Sequence, residues 1–233
     1  MIDILAFSDG HGVLPKIEMP FDLLLLAGDN VDLYKQSRQS DSIIWYQSDF
    51  VNWVNKLPFK TDKSKVLWIA GNHELGWQKL NTERFKIADN IKTLTNDRAI
   101  YLEDTLYTFE NITIYGTPWC KIFGNWAFLK DNDALIKIYK NIPDNVDILL
   151  THDAPYGTSD ICFDWINWGR TPYSIGNEPL RDAIIEKQPK INLHGHLHSA
   201  NHNLEKLNDT DVYCISLLNE DYQVAYQPLY LQL

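Results

Sequence analysis

Five short apolar runs, each followed at once by a polar segment, constrain the fold of this chain more than any other feature. Runs of this length and composition are typical of strands that are buried on both faces of a sheet. The segments that follow them contain His, Asp or Asn, and most also contain glycine. The five predicted strands are Ile2–Phe7, Asp22–Ala27, Val66–Ala70, Val146–Leu150 and Lys190–Leu193.

Amphipathic helices are predicted between these strands. In 135–142 the apolar residues recur at the spacing of one helical face, and the aspartates of 131–133 can cap the first turn. The same pattern is less regular in 41–57 and 82–94. Asn177, followed by Glu-Pro and then apolar residues, is typical of a helix start.

Strand-like patterning in 100–115 and 212–231 is expected to complete two sheets packed face to face and flanked by helices. Strands that alternate with helices in this way indicate the α/β class. No repeat, low-complexity tract or linker divides the chain. We therefore expect one domain over residues 1–233, which is long enough to bury a substantial core.

The charge balance bears on the class of partner. The formal net charge is −10, and no basic stripe offsets it. Because long nucleic acids are bound mainly through Lys and Arg, this balance argues against a polynucleotide groove. It leaves a small phosphate-containing substrate open, since metal ions can supply positive charge locally.

The compartment is inferred from the N-terminus and the cysteines. The chain enters its first predicted strand directly, without a basic segment or a cleavage site, and no apolar run approaches the roughly 20 residues that span a bilayer. Cys120, Cys162 and Cys214 are widely spaced and form no CxxC pair, which is typical of reduced core thiols. We expect a cytoplasmic protein that has no signal peptide and no membrane partner.

Metal-ligating residue types follow all five predicted strands. Ligands of α/β sheets gather at the carboxyl ends of the strands, so these side chains are expected to form one site. A lone Asp or His at a strand end is usually a cap or a solvated loop residue, but that reading would require a coincidence across five segments. The seven candidate ligands are Asp9, His11, Asp29, Asn72, His152, His196 and His198.

This set of carboxylates, carboxamide and imidazoles suits Mn, Fe, Zn, Co or Ni better than Ca or Mg. Seven ligands are too many for one ion, and with Asp29 as a bridge they divide into two sites. Two ions at roughly 3.5–4 Å can activate water and hold a phosphate. One ion would bind Asp9, His11, Asp29 and His198, and the other would bind Asp29, Asn72, His152 and His196.

In the order of its motifs the chain resembles the calcineurin-like metallophosphoesterases. Their five blocks, DxH, GDxxD, GNH[DE], a lone H and GHxH, occur here in sequence within about residues 3–200. This resemblance implies a four-layer αββα sandwich with two divalent metal ions, for which we expect manganese. A closer resemblance to the small metallophosphoesterase-domain-containing phosphodiesterases is carried by residues 116–119, 126–128 and 151–157.

The resemblance also implies two catalytic roles. His73 would donate a proton to the leaving oxygen or stabilise charge on the phosphoryl group, without binding metal. Asp32 would orient His73, since a carboxylate partner fixes the imidazole tautomer. The structural alternatives are a hydrogen bond from His73 to a metal ligand and a simple turn cap by Asp32.

The implied activity is hydrolysis of small phosphodiesters, including nucleotide or cyclic-nucleotide substrates. The alternatives are a phosphomonoesterase or protein phosphatase, a nuclease, and a catalytically silent protein-binding scaffold. A nuclease would usually show a basic face, and a scaffold should lack ligands or the catalytic histidine.

An aromatic segment follows the fourth strand. Residues 156–177 have little clear secondary structure and carry Trp165, Trp168 and Arg170. They are expected to form either a surface flap packed on the sandwich or a rim over the substrate, and long loops often carry function. Trp119 and Trp126 allow the same two interpretations.

Overall fold

The computed structural model describes residues 1–163 and 172–233 and contains two large mixed sheets. The strands of the first sheet are β1 (Asp3–Phe7), β2 (Leu23–Leu26), β3 (Lys65–Trp68), β4 (Ala99–Tyr101) and β15 (Leu229–Gln232). They lie in the order β15–β1–β2–β3–β4, and β15 alone is antiparallel to its neighbour.

The second sheet has six strands, of which the central four are parallel. They are β5 (Thr105–Phe109), β6 (Ile112–Thr117), β9 (Ile148–Thr151), β12 (Ile191–His194), β13 (Glu205–Leu207) and β14 (Thr210–Cys214). Their order is β13–β14–β12–β9–β6–β5, with the two edge strands antiparallel. Two short ribbons complete the strands: β7 (Cys120–Lys121) with β8 (Leu129–Lys130), and β10 (Ile161–Phe163) with β11 (Pro172–Ser174).

Helices lie in the four regions where the sequence predicts them, and a further short helix at Leu75–Lys79 was not predicted. The helices are α1 (Gln39–Trp45), α2 (Val51–Val54), α3 (Leu75–Lys79), α4 (Glu83–Leu94), α5 (Asn132–Tyr139) and α6 (Glu178–Lys187), and a π-helical segment Tyr46–Phe50 joins α1 to α2. Both predicted caps are confirmed. Asp131 accepts the N–H of Ala134 at 2.8 Å, and Asn177 accepts that of Leu180 at 3.0 Å.

The two sheets pack face to face, and helices cover their outer faces. Alternate residues of a strand point to opposite faces, so Ile4 and Ala6 of β1 pack against Ile148 of β9. The opposite face of β1, with Leu5 and Phe7, packs against the helical layer that contains α1 and α4. The outer face of the second sheet packs against α5 and α6 in the same way. The predicted four-layer αββα arrangement is confirmed.

One predicted strand segment is shorter than expected. Within 212–231 the chain leaves the sheet after Cys214 and re-enters it at Leu229, and most of the residues between form an irregular connection. A bridge between Ser216 and Ser8 holds the start of this connection beside the end of β1. None of the helices in the described ranges is long and apolar enough to cross a membrane.

Candidate metal centre

The candidate ligands lie where strands end and the backbone turns abruptly. Four of them have a left-handed backbone, with φ of 53° at Asp9, 43° at His11, 51° at Asp29 and 71° at His196. Asp and His adopt this region more readily than most residues but at a conformational cost. These turns direct the side chains of separate strands into one region between the sheet ends.

A close approach at Gly71 contributes to the same geometry. A Cβ atom at this position would lie 2.3 Å from Oδ1 of Asp29 and 2.6 Å from Cε1 of His152. Only glycine therefore allows the loop before Asn72 to pack against these two side chains.

One group of candidate ligands contains Asp9, His11 and His198, whose ligand atoms all lie within 4.8 Å of one another. The Nε2 atoms of His11 and His198 are 3.3 Å apart, and Nε2 of His198 is 3.5 Å from Oδ1 of Asp9. The other ring nitrogen of His198 lies 2.9 Å from the carbonyl oxygen of Asn219. Such a backbone contact leaves Nε2 available to a metal.

A second group is centred on Asp29. Asp9, Asp29 and His152 also have ligand atoms within 4.8 Å of one another. Nε2 of His152 lies 3.4 Å from Oδ1 of Asp29 and 2.8 Å from Oδ1 of Asn72, while its Nδ1 lies 2.7 Å from the carbonyl oxygen of Ala27. Oδ2 of Asp29 also lies 3.7 Å from Nε2 of His11, so Asp29 is near ligands of both expected sites.

His196 is the least closely gathered of the seven. It belongs to none of the three carboxylate–histidine groups found in the described residues, the third of which consists of His11, Asp29 and His73. Its backbone N–H donates to both oxygens of Asp9 at 3.1 and 3.0 Å, and its ring centroid lies 5.3 Å from that of His152. The ring lines the cavity above the site, on the side of His152.

The charges of the site suit divalent cations. Burial alone would raise the pKa of Asp9 and of Asp29, but His198 and His152 respectively hold these pKa values below the ordinary range. Burial alone would lower the pKa of both histidines, but the carboxylates raise the pKa of His152 to about 10 and that of His198 to about 9. The buried carboxylates thus take protonated histidines as counter-charges. A metal ion can replace those protons, so the donor set fits divalent metal ions.

His73 and Asp32, which the sequence predicts to pair, have other hydrogen-bond partners in the structure. Nδ1 of His73 lies 2.6 Å from Oε1 of Gln36, whereas Oδ1 of Asp32 accepts the N–H of Tyr34 at 2.8 Å. Asp32 therefore caps its own turn, which is the structural alternative stated for it above. Nε2 of His73 faces the centre, 3.9 Å from Oδ2 of Asp29.

Glu74 holds the two ligand-bearing loops together without facing the cavity. It is fully buried. Burial, and to a smaller extent the negative charge of the neighbouring Asp29, raise its pKa to about 7. Its carboxyl oxygens accept from one hydroxyl and four backbone N–H groups: those of Tyr46, Asp29, Asn30, Val31 and Gly71. Glu74, the residue after His73, thus fixes the backbone of the Asp29 loop and of the Gly71 loop.

A further buried pair supports the loop after His152. Oδ2 of Asp153 accepts from Nδ2 of Asn177 and from the N–H of Lys121, both at 2.9 Å. Because Asn177 also caps α6, one side chain joins the start of that helix to the His152 loop.

Above the ligands lies a cavity of about 150 Å³. Its aromatic walls each contact a site histidine. The ring centroid of Trp126 is 4.3 Å from that of His73, and that of Phe123 is 4.9 Å from that of His196. The cavity is lined by Asp29, Asn72, His73, Phe123, Trp126, His196, His198, Glu220 and Tyr222.

Three lining residues were not anticipated from the sequence: Phe123, Glu220 and Tyr222. The Tyr222 ring lies 4.9 Å from that of His11 and 5.4 Å from that of His198. Glu220 and Tyr222 belong to the irregular connection before β15, which carries no motif. An aromatic residue in a polar loop is the one signal that could have indicated Tyr222.

The two tryptophans between β6 and α5 separate into different roles. Trp119 donates to Oδ2 of Asp104 at 2.8 Å and packs against Phe128, so the packing interpretation applies to it. Trp126 is 37% exposed and lines the cavity. The predictions for Trp165, Trp168 and Arg170 lie outside the described residues.

Comparison with known proteins decides the family. The sequence model of the calcineurin-like phosphoesterases matches residues 2–200. The chain belongs to this family. The matched range contains all seven candidate ligands. Membership of the family and the clustered carboxylates and histidines are both compatible with two divalent metal ions.

Curated relatives of this phosphoesterase share a substantial part of its sequence. It is 30% identical over 213 residues to metallophosphoesterase domain-containing protein 1 of Homo sapiens, an alignment that covers 82% of this chain and 59% of that protein. It is 39% identical over 203 residues to a UPF0046 protein of Caenorhabditis elegans, covering 77% of this chain and 46% of that protein. The alignments thus span three-fifths of these relatives or less.

Solved structures show the same fold at low sequence identity. TT1561 of Thermus thermophilus is 15% identical, with a TM-score of 0.57 and coverage of 91% of this chain and 88% of that chain. The phosphopantetheinyl hydrolase PptH of Mycobacterium tuberculosis is also 15% identical, with a TM-score of 0.54 and coverage of 94% and 90%. At these identities the likeness extends to the fold alone.

Proposed function

We propose that this phosphoesterase hydrolyses phosphodiesters with two divalent metal ions, manganese being the expected metal. The observation that carries the choice of diester is the chemistry of the cavity. In the described part of the chain its lining contains no Lys or Arg, and the carboxylate of Glu220 stands at its wall. A phosphomonoester brings a second negative charge, which this carboxylate would repel and no side-chain cation would balance. A diester carries only one.

The chain's own residues would hold the ions in the division expected from the sequence. Asp9, His11 and His198 would bind on one side of Asp29, while Asn72, His152 and His196 would bind on the other. When bound, such ions polarise phosphoryl oxygens and activate water as a nucleophile. The contacts of His198 and His152 with backbone carbonyl oxygens would keep their Nε2 atoms directed at the ions.

His73 is proposed as the proton donor to the leaving oxygen. It lines the cavity, its Nδ1 is engaged by Gln36, and its Nε2 faces the centre. We expect His73→Ala to keep near-normal metal content and to lower kcat by about 10²–10⁴, the range of general acid–base catalysis. Metal analysis beside steady-state kinetics checks this. Loss of an ion in the variant would make His73 a ligand instead.

The substituents on the phosphate are proposed to include a nucleoside. Phe123, Trp126 and Tyr222 present flat aromatic groups at the walls of the cavity, and stacking on a base contributes about 1–3 kcal/mol each. Glu220 offers an acceptor for an amino or hydroxyl group of that substituent. Nucleotide diesters, including cyclic nucleotides, combine these features, and the formal charge of −10 disfavours long polynucleotides.

The test compares bis(4-nitrophenyl) phosphate with 4-nitrophenyl phosphate under the same manganese concentration, in the wild type and in Glu220→Gln. We expect a higher kcat/KM for the diester in the wild type and a smaller diester preference in Glu220→Gln, because the repelling charge has been removed. Preference for the monoester would instead indicate a phosphomonoesterase. Two bound ions without turnover of either ester would indicate a scaffold.

A further inference from the structure

We propose that Gln36 is the positioning residue of His73, in place of the carboxylate that the GDxxD motif would supply. The contact is short and direct, with Oε1 of Gln36 2.6 Å from Nδ1 of His73. Because a carboxamide oxygen can only accept, Nδ1 carries a proton and the opposite nitrogen is the one that exchanges protons with substrate. The inference rests on the proposed role of His73 in phosphodiester hydrolysis.

Gln36 is held in place by the segment that carries its partner. Its carbonyl oxygen accepts the N–H of Gly76 at 2.6 Å, three residues beyond His73. At Gly76 a Cβ atom would lie 2.5 Å from the carbonyl oxygen of Arg38 and 2.3 Å from Oγ of Ser42. The start of α3 therefore packs directly on the chain at 36–42. His73 and Gln36 thus belong to one packed unit.

The imidazole of His73 is enclosed on its other sides as well. Trp126 packs on its face with an interplanar angle of 32°, and His11 meets it edge to face at a centroid distance of 4.6 Å. These contacts limit the ring plane but do not distinguish its two nitrogens. Gln36 does distinguish them, because it lies within hydrogen-bond distance of Nδ1, whereas Asp29 is 3.9 Å from Nε2 and Asp32 accepts the N–H of Tyr34.

The proton transfer balances with this arrangement. The protonated ring of His73 breaks its Nε2–H bond, and the leaving oxygen gains that proton as its bond to phosphorus breaks. The Nδ1–H bond to Gln36 persists throughout, so the ring ends as the neutral Nδ1–H tautomer. A carboxamide cannot take up this proton, so Nδ1 is kept out of the reaction.

The test uses substitutions that separate the acceptor from the packing. Gln36→Met keeps the length of the side chain without the acceptor, and Gln36→Glu restores an acceptor oxygen. Gln39→Ala is the matched control, because Nε2 of Gln39 donates to the carbonyl oxygen of Lys79 at 2.6 Å and joins the same two segments without touching His73. Asp32→Asn tests the alternative partner.

We expect Gln36→Met to keep its metal content and KM but to lower kcat by about 2–10-fold, the loss of one hydrogen bond. The loss should be larger for a diester with an alkyl leaving group than for one with 4-nitrophenol, because only the poorer leaving group needs the proton. Gln36→Glu should restore most of kcat. Gln39→Ala should leave the leaving-group dependence as it is in the wild type.

A readout independent of turnover is the ring ¹⁵N chemical shift of His73 in the zinc-loaded protein. In its neutral form the ring should be the Nδ1–H tautomer in the wild type and a mixture of the two tautomers in Gln36→Met. Unchanged shifts together with unchanged leaving-group dependence in Gln36→Met would overturn the inference, and so would reproduction of both effects by Asp32→Asn. If the wild type hydrolyses no diester, the proposed function fails, and the ¹⁵N shifts alone decide the role of Gln36.

Discussion

The two N-terminal caps of α5 and α6 offer a sharp test of how burial sets the value of a hydrogen bond. Asp131 is exposed, and within the part of the chain that the structure describes its side chain accepts one hydrogen bond, the cap from Ala134. Asn177 is fully buried, accepts from Leu180 and also donates to Asp153. Replacing either residue by Ala removes one cap, but only Asn177→Ala leaves a buried carboxylate oxygen short of a donor.

The expected losses differ accordingly. Asp131→Ala should lower the free energy of unfolding by about 1 kcal/mol, the usual value of a cap. Asn177→Ala loses that amount and about 1–3 kcal/mol more for the unmet acceptor of Asp153, giving roughly 2–4 kcal/mol. For a chain of this size, each kcal/mol lost from the free energy of unfolding lowers Tm by about 2–4 °C.

Urea unfolding followed by tryptophan fluorescence, with both variants and the wild type at the same metal concentration, measures these free energies. Oδ2 of Asp153 still accepts the N–H of Lys121 in Asn177→Ala, so this oxygen loses only one of its two donors. We therefore expect the Asn177→Ala protein to fold. Equal destabilisation by the two variants would refute the reasoning, since the buried hydrogen bond to Asp153 would then contribute nothing.

Three further predictions concern the site. Asp29→Asn should weaken both metal sites and Asp9→Asn mainly one, as measured by metal analysis after dialysis; two tightly bound ions in Asp29→Asn would contradict the bridge. The carboxylates raise the pKa of His152 and His198 in the metal-free protein, so metal binding should release protons and its affinity should rise with pH up to about pH 9–10. Calorimetry in buffers of different ionisation enthalpy counts the protons, and a pH-independent affinity would argue against the pairing. Trp126→Ala should raise KM for nucleotide diesters more than for bis(4-nitrophenyl) phosphate, by about 5–150-fold for the loss of one stacking contact of about 1–3 kcal/mol; equal effects would favour a packing role.

The strands and their polar ends could be predicted because both depend on local sequence. The run before Ser8 is apolar at every position but one, since its strand is buried on both faces, and the metal-ligating types begin where that burial ends. Helix caps are local too, which is why Asp131 and Asn177 could be assigned. The gathering of ligands followed from the parallel arrangement, in which strand ends share one edge of a sheet.

The contacts that the sequence did not reveal are set by packing between distant segments. Gln36 lies in an irregular stretch with no periodicity, and it meets His73 only because α3 packs against that stretch. Asp32 has the spacing of the motif, yet its carboxylate turns to a neighbouring N–H. Tyr222 reaches the cavity through the path of a loop. Trp119 and Trp126 differ in burial and in the side chains they contact, which residue type does not specify.

The left-handed backbone of Asp9, His11, Asp29 and His196 has a consequence for how such a chain can change over generations. Glycine at any of these positions would relax the main chain while deleting the side chain that gathers at the centre. A descendant with no use for metal would be freed of this conformational cost by the same single substitutions that destroy the site. It would also lose buried hydrogen bonds, such as those from the N–H of His196 to Asp9, so the contacts within the centre oppose the loss of these side chains even without a metal.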